Sequence, residues 1–345
     1  MSQAVEQGGP ERVSGTPSVL QLPGASDDVR RRLTDGLAAV NALLEERIDH
    51  EDPFIAQASG HLAAAGGKRF RPLLTILASE LGTGVNEQVV AAATGVELTH
   101  LASLYHDDVM DEADVRRGAP SANAAYDNST AILVGDLLFG TASDIVADLG
   151  PEAVKIQAQT FVRLCSGQIR DDRPAPEGVD ALEYYRGVLA DKTGVLIATA
   201  ARYGAMFGGC APDVVETLRE YGEHLGMAFQ LADDLIDIAS DAEETGKTPG
   251  TDLREGKRTL PVLHALASTD PADDRLKSLL VGDLSGDAEL GEALELLRAH
   301  PAMDKARAET EAVARHAQEI LDPLPDSDAK AALQALALGV VHRAG

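Results

Sequence analysis

The residues of this sequence most suited to chemistry are six aspartates in two identical patterns. Both patterns read Asp-Asp-x-x-Asp, at residues 107–111 and 233–237, and both lie in apolar stretches with helical spacing. On a helix, residues four apart share a face and a residue three apart lies beside them. Each pattern therefore groups three carboxylates on a segment that otherwise reads as buried. Because unpaired buried charge is very unfavourable, a cation must join each group.

These carboxylates predict a magnesium site. Hard oxygen ligands suit Mg²⁺, which keeps several waters and takes substrate phosphate oxygens into its shell. Two facing sets would hold a diphosphate between metal ions. The expected metal ligands are Asp107, Asp108, Asp111, Asp233 and Asp237.

Basic residues are scarce, so their clusters are informative. The net charge is −26, from 30 Lys and Arg against 56 Asp and Glu. One cluster is GGKRFRP (66–72), and a second, Arg116 and Arg117, follows the first acidic pattern. Arginine and lysine are the usual partners of phosphate oxygens. Together with the acidic patterns, they predict a site for two diphosphates, one held by metal ions and one by cationic side chains.

A polar segment at 240–258 follows the second acidic pattern. It contains Lys247, Lys257 and three glycines. A loop that closes over phosphates needs these parts, so we expect a functional lid here.

The elements that must position these residues read as helices throughout. Aromatic residues make up 3% of the chain and tryptophan is absent, so the core must be built from small and aliphatic side chains. We expect an all-α domain at 26–345, with Ser26 capping its first helix, and a flexible tail at 1–25. Further helices are predicted near 69–81, 86–111, 120–149, 151–172, 180–207, 212–240, 257–268, 287–298, 302–321 and 326–342.

Composition also excludes several classes of protein. An acidic chain lacks the basic surface that nucleic acid binding requires. We see no signal peptide and no run of 18 apolar residues, and therefore expect a soluble, cytoplasmic protein. Cys165 and Cys210 have no metal-binding spacing and are expected to be buried free thiols.

In their order along the chain, these segments resemble the trans-type polyprenyl diphosphate synthases of the all-α isoprenoid synthase family. The matching segments are GGKRFRP (66–72), ELTHLASLYHDDVMDEADVRRG (97–118), GDLLFG (135–140), DKTG (191–194), LGMAFQLADDLID (225–237) and TGKTPGTDLREGKRTLP (245–261). The resemblance implies a helical bundle around a central cavity. It also implies condensation of isopentenyl diphosphate with an allylic diphosphate, farnesyl or geranylgeranyl, and release of diphosphate.

The resemblance further implies roles for single residues. Two or three Mg²⁺ ions would bridge the aspartates and the allylic diphosphate. Thr193 and Gln230 would stabilise the allylic cation, and the released diphosphate would accept the proton. The allylic diphosphate would contact Arg116, Lys192, Lys247 and Lys257, and isopentenyl diphosphate would contact Lys68, Arg71, His100 and Arg117.

Product length is expected to depend on small residues before Asp107. Family members that make C15 or C20 products often place aromatic residues four and five positions before this aspartate, whereas this chain has Ser103 and Ala102. We therefore expect a C30–C50 product, with Phe161 as a further candidate for the floor of the tunnel. Replacement of Ala102 by tyrosine is expected to shorten the product.

Three alternatives remain open from the sequence. The first is a geranylgeranyl diphosphate synthase, which makes C20. The second is a terpene cyclase, although cyclases usually carry an Asn/Ser/Glu motif in place of the second aspartate pattern. The third is a non-catalytic synthase subunit, although such subunits tend to lose these patterns. The resemblance also implies a homodimer, formed by the helices at 86–111 and 120–149, and long products suggest transient membrane contact.

Overall fold

The computed structural model describes residues 22, 24–116, 118–239 and 249–341. Helices dominate this part of the chain. A single antiparallel hairpin, β1 (Val115–Arg116) with β2 (Ala119–Pro120), is the sheet structure within those ranges. The all-α class expected from the sequence is confirmed.

The first half of the bundle consists of long helices that begin at capping side chains. Ser26, Asp52, Asn86 and Asp127 each accept a hydrogen bond from the backbone of the first turn that follows. The helices are α1 (Asp27–Ile48), α2 (Pro53–Ala64), α3 (Phe70–Ser79), α4 (Glu87–Met110), α5 (Ala122–Ala125), α6 (Asn128–Asp148) and α7 (Pro151–Asp171).

The second half contains an irregular helix. α8 (Ala181–Leu189) passes through a π-helical turn, Ala190–Gly194, directly into α9 (Val195–Phe207). The remaining helices are α10 (Pro212–Ala239), α11 (Thr251–Arg254), α12 (Leu260–Leu266), α13 (Asp274–Leu280), α14 (Asp287–Ala299), α15 (Pro301–Ile320) and α16 (Asp328–Gly339).

The core is aliphatic, as the composition requires, and has three parts. The largest joins α1, α3, α9, α10 and α16. A second lies between α4 and α6, which pack side by side, and a third connects the end of α10 to α12–α15. The helices that carry both aspartate patterns therefore lie inside the bundle.

The structure differs from the predicted elements in several places. The sequence predicts one helix at 120–149, but the chain breaks at Tyr126 because Asp127 caps a new helix. α2 was not predicted. Leu22 and Ala25 are buried in the core, although the sequence predicts a flexible tail as far as residue 25. Most of that predicted tail, residues 1–21 and 23, lies outside the described residues. Cys165 and Cys210 are free thiols and partly buried.

One helix of the described residues, α6, is long and apolar enough to pass for a membrane span by length and composition alone. Only 39% of that stretch is buried, although its inner face packs against α4. The outer face exposes Ile132, Leu133 and Leu137, and the neighbouring α7 exposes Val162 and Ile169. These five residues are called the α6–α7 apolar face below.

Candidate active site

The first aspartate pattern ends α4. Asp108 is fully buried, and its carboxylate accepts hydrogen bonds from Arg116 Nε at 2.6 Å and from the Ala122 amide at 3.0 Å. Asp108 therefore fixes the hairpin and α5 to the end of α4. Asp107 is only partly exposed, and burial, reinforced by Asp111 and only partly offset by Lys192, raises its pKa to about 6.

The second pattern, on α10, also has a buried second aspartate and flanking aspartates that are partly exposed. Asp234 is buried and accepts hydrogen bonds from the Tyr185 hydroxyl and from Gln230 Nε2, the latter at 3.0 Å. Burial raises its pKa to about 6. Asp237 accepts from the backbone amides of Thr251 and Asp252 at 3.2 and 3.1 Å, and so caps α11. Asp233 is partly exposed.

Charges of both patterns act on the short segment 251–257, and we interpret the region between the two patterns as a cleft. The pKa of Glu255 is raised by burial and then by Asp111 of the first pattern and Asp237 of the second. Burial, together with the charges of Asp234 and Asp237, raises the pKa of Asp252 to about 8. Charges on both patterns thus act on the same short segment, which follows α10.

Two of the predicted diphosphate-binding lysines meet in this cleft. Lys192 Nζ lies 2.7 Å and Lys257 Nζ 3.2 Å from Asp171 Oδ2, and Lys257 Nζ lies 2.8 Å from Asp172 Oδ1. Burial opposes the charge of Asp171, yet the two lysines outweigh it and the net pKa is lowered. Asp171 and Asp172 were not predicted, although a pair of acids ending an apolar helix was a readable signal. Arg116, the third predicted partner in the described residues, pairs with Asp108 and lies 3.9 Å from Asp111.

The two predicted cation-stabilising residues are also brought together. Thr193 Oγ1 donates to Gln230 Oε1 at 3.1 Å. Since Gln230 in turn donates to Asp234, a hydrogen-bond chain runs from the π-turn to the second aspartate pattern. Tyr185 ends this chain, and sequence reasoning missed it.

The basic residues of the GGKRFRP segment differ in their surroundings: Arg69 forms an ion pair inside the bundle, whereas Lys68 and Arg71 are at least partly exposed. Arg69 directly precedes α3 and has a φ of 47°, and its guanidinium lies 2.8 Å from the buried Glu97 of α4. Lys68 is exposed, and Arg71 and His100 are partly exposed on the adjacent helices α3 and α4. Arg117 and Lys247, also predicted as ligands, lie outside the described residues.

The predicted chain-length residues have different surroundings. Ala102 is 0% exposed and belongs to the packed cluster between α4 and α6, not to open space. Ser103 is partly exposed and lies one turn before Asp107 on the same helix face. Phe161 of α7 stacks on Phe139 of α6, with ring centroids 3.8 Å apart.

The donors present fit Mg²⁺ in its usual mode. In the parts of the chain that the structure describes, no three His, Cys, Asp or Glu side chains converge closely enough to bind an ion by themselves. Mg²⁺ generally needs only one or two carboxylates, with substrate phosphates and water completing its shell. Asp107, whose charge burial and Asp111 disfavour, would gain from a neighbouring divalent cation.

Residues 52–297, more than half of the chain, match the sequence profile of the polyprenyl synthetases. The chain belongs to the polyprenyl synthetase family. This polyprenyl synthetase is 49% identical over 311 residues to the nonaprenyl diphosphate synthase of Mycobacterium tuberculosis H37Rv, covering 90% of this chain and 93% of that one.

Solved structures of similar proteins have the same fold as this chain. The geranylgeranyl pyrophosphate synthase of Corynebacterium glutamicum, complexed with calcium and isoprenyl diphosphate, superposes with a TM-score of 0.83 at 44% identity, over 93% of this chain and 98% of that one. The decaprenyl diphosphate synthase of Rhodobacter capsulatus gives 0.84 at 36%, over 92% and 99%. The predicted isoprenoid synthase fold and the predicted activity, chain elongation by a prenyltransferase acting on isopentenyl and allylic diphosphates, are confirmed.

Proposed function

We propose that this protein is a Mg²⁺-dependent, homodimeric trans-polyprenyl diphosphate synthase that extends farnesyl or geranylgeranyl diphosphate to a C30–C50 product. One observation supports the proposal: charges on both aspartate patterns act on Glu255, and the nearby Lys257 shares the Asp171 carboxylate with Lys192. The nonaprenyl relative and the small Ser103 support a long product.

The cleft would bind the allylic diphosphate through both kinds of positive charge. Asp107, Asp111 and Asp233 would hold the ions, and Asp108 and Asp237 would keep the adjoining segments in place. When bound, Mg²⁺ would neutralise the departing diphosphate and stabilise the charge that develops on it. Lys192 and Lys257 would exchange Asp171 for diphosphate oxygens, because ammonium groups suit either anion.

The chemistry then proceeds without a protein base. Departure of the diphosphate leaves an allylic cation beside the Thr193 hydroxyl and the Gln230 amide, whose dipoles would stabilise it. The isopentenyl double bond attacks this cation, and the released diphosphate takes the proton. Lys68, Arg71, His100 and Arg117 would hold the isopentenyl diphosphate, and Lys247 would join the allylic site on closure, which excludes water.

A C20 product is the second candidate. The 44% identity to a geranylgeranyl pyrophosphate synthase favours it. Both candidates share the same cleft and differ only in how far the tail can grow.

The α6–α7 apolar face supports the homodimer. A surface of five large aliphatic side chains on two adjacent helices is typical of a subunit interface. The protein would work in the cytoplasm, with transient membrane contact for release of a water-insoluble product.

Purified protein with Mg²⁺, isopentenyl diphosphate and each of geranyl, farnesyl and geranylgeranyl diphosphate tests the proposal. We expect products of C30–C50 by mass spectrometry and loss of activity in EDTA. A C20 product with every primer that reacts would favour the second candidate. No condensation with any primer would refute the proposed function. An exposed acid on α10, changed in Asp213→Asn, is the control, and we expect it to leave the product unchanged.

A further inference from the structure

The proposed function uses two side chains of the π-turn between α8 and α9 but gives no reason for the turn itself. The Val195 amide donates to the Ala190 carbonyl five residues earlier, where an α-helix would pair residues four apart. Such turns are rare, and they frequently mark functional sites. Here the turn carries Lys192 and Thr193 side by side.

Two helices hold the backbone of this turn. A Cβ added at Gly167 of α7 would lie 2.4 Å from the Lys192 nitrogen, and one at Gly226 of α10 would lie 2.7 Å from Gly194 Cα. The turn is therefore in direct backbone contact on both sides. Backbone contact prevents α7 and α10 from moving closer to the turn. It does not fix the rotation of the turn or its position along the helix axis.

A network of ion pairs supplies that constraint. Arg163 Nε and Arg170 Nη1, both from α7, lie 2.7 and 3.0 Å from the two oxygens of Asp191. Arg163 also lies 2.9 Å from Glu223 of α10. The Asp191 clamp, defined as these four residues, ties the π-turn to both neighbouring helices.

The clamp is more than a set of surface pairs. Isolated exposed pairs contribute about 0–1 kcal/mol, whereas shared guanidinium and carboxylate groups in a network fix geometry. The pKa of Glu223 is lowered, because Arg163 and Arg219 outweigh burial. Basic side chains are scarce in this chain. Two arginines nevertheless pair with the Asp191 carboxylate, next to Lys192, and do not point their charge at a phosphate site.

We propose that Asp191 is a positioning residue for prenyl transfer: gripped by Arg163 and Arg170, it sets the π-turn so that Lys192 and Thr193 meet the allylic substrate. The inference rests on the proposed function of this cleft. A displacement of about 1 Å in such a group can lower a rate about 100-fold.

The test measures Asp191→Asn in the wild-type enzyme and in a Lys192→Ala, Thr193→Ala background. In the otherwise wild-type enzyme, we expect Asp191→Asn to lower kcat about tenfold or more, with the KM for isopentenyl diphosphate changed less than about twofold. Asp191→Glu, which keeps the charge, is expected to retain more activity than Asp191→Asn. In the Lys192→Ala, Thr193→Ala background, Asp191→Asn should change kcat less than about twofold, because the groups that it positions are gone.

A merely structural role gives a different result. Equal losses in the two backgrounds, accompanied by a lower Tm, would overturn the proposal. Glu311→Gln is the matched control, since Glu311 pairs with Arg315 on the exposed side of α15, and it should leave kcat unchanged.

A second readout separates this inference from the proposed function. Calorimetric binding of inorganic diphosphate with Mg²⁺ should weaken about tenfold in Asp191→Asn and remain unchanged in Glu311→Gln. Absence of condensation by the wild type would refute the proposed function alone. Unchanged diphosphate affinity and unchanged kcat in Asp191→Asn would refute the clamp alone.

Discussion

Asp108 and Asp234, the second aspartates of the two patterns, are satisfied entirely by protein groups. Asp108 accepts from Arg116 and from the Ala122 amide, and Asp234 accepts from Tyr185 and Gln230. A buried carboxylate needs such partners because its desolvation is otherwise uncompensated. The second position therefore anchors the scaffold. Of the flanking aspartates, Asp237 also caps α11, and we propose that Asp107, Asp111 and Asp233 hold the metal ions.

This division predicts opposite effects for two neighbouring asparagine substitutions. Asp107→Asn should lower kcat about 100-fold or more, without loss of unfolding free energy in EDTA, since the fold already disfavours its charge. Asp108→Asn should lower the unfolding free energy by about 1.5–3 kcal/mol, because it weakens charge-assisted hydrogen bonds to Arg116 and Ala122. Urea unfolding and steady-state kinetics measure both. The interpretation fails if Asp107→Asn is the less stable of the two.

The pH dependence that Asp107 contributes to stability has a definite sign. Folding raises the pKa of Asp107 from 3.8 to about 6, so the folded protein binds more protons than the unfolded chain in that window. Stability from the protonated carboxyl is present below about pH 4 and is lost as the pH rises through about 6. In EDTA, the gain from Asp107→Asn should therefore grow across this window and then level off.

Ser103 and Phe161 are expected to set product length in opposite directions. Ser103→Tyr would place a ring one turn below Asp107 and shorten the product, whereas Phe161→Ala would remove a stacked ring and lengthen it. Ala102→Tyr, in contrast, would overpack a filled core and cost about 1–3 kcal/mol. Product masses and unfolding curves distinguish these outcomes. Unchanged product masses in both Ser103→Tyr and Phe161→Ala would exclude Ser103 and Phe161 as the residues that set product length.

Among the helical elements, the π-turn between α8 and α9 most directly positions residues of the candidate active site. The π-turn changes the register of the helix by one residue, and α7 and α10 approach it closely enough that only glycine fits at the contacts. Lys192, Thr193 and the residues that they contact thereby come from three helices of the bundle.

Gly167→Ala should disturb this junction. The new methyl would meet the backbone of Lys192, and backbone cannot rotate away as a side chain can. We expect a loss of about 1–3 kcal/mol in unfolding free energy together with a drop in kcat. Gly291→Ala, in the exposed middle of α14 with nothing within 4 Å, should instead add about 0.5–1 kcal/mol and leave kcat unchanged. Equal effects of the two substitutions would show that the α7 contact is unimportant.

The molecule as a whole combines an acidic, polar cleft with an apolar outer face on α6 and α7. Leu133 is 67% exposed, although it lies on a helix that otherwise contributes to the core. We propose that a second copy of the chain covers this aliphatic surface.

Leu133→Lys should therefore convert a dimer into a monomer. Light scattering after size exclusion would report the mass, and we expect the mass of the wild type to be halved. Val281→Lys is the control, since Val281 is equally exposed at 65% but lies after α13, away from this face. A wild-type protein that is monomeric at micromolar concentration would contradict the dimer directly.

The reaction class was readable from the sequence because its signals are local. The spacing of Asp107 and Asp111, repeated at Asp233 and Asp237, depends only on the period of a helix, and the basic clusters are contiguous. Most helices and the all-α class follow from the same short-range periodicity, and the Ser26 cap from residue type.

Only the tertiary structure decided which atoms meet. Asp171 meets Lys257 from 86 residues away, and Tyr185 meets Asp234 from 49 residues away. Neither pairing leaves a local pattern, and the same is true of the burial of Ala102 beside the exposed Ser103. Helical spacing fixes which side chains share a face, but the direction in which that face points depends on how distant helices exclude water around it. The sequence thus indicated a diphosphate site, and the packing of α4, α7 and α10 assigned each charge its partner.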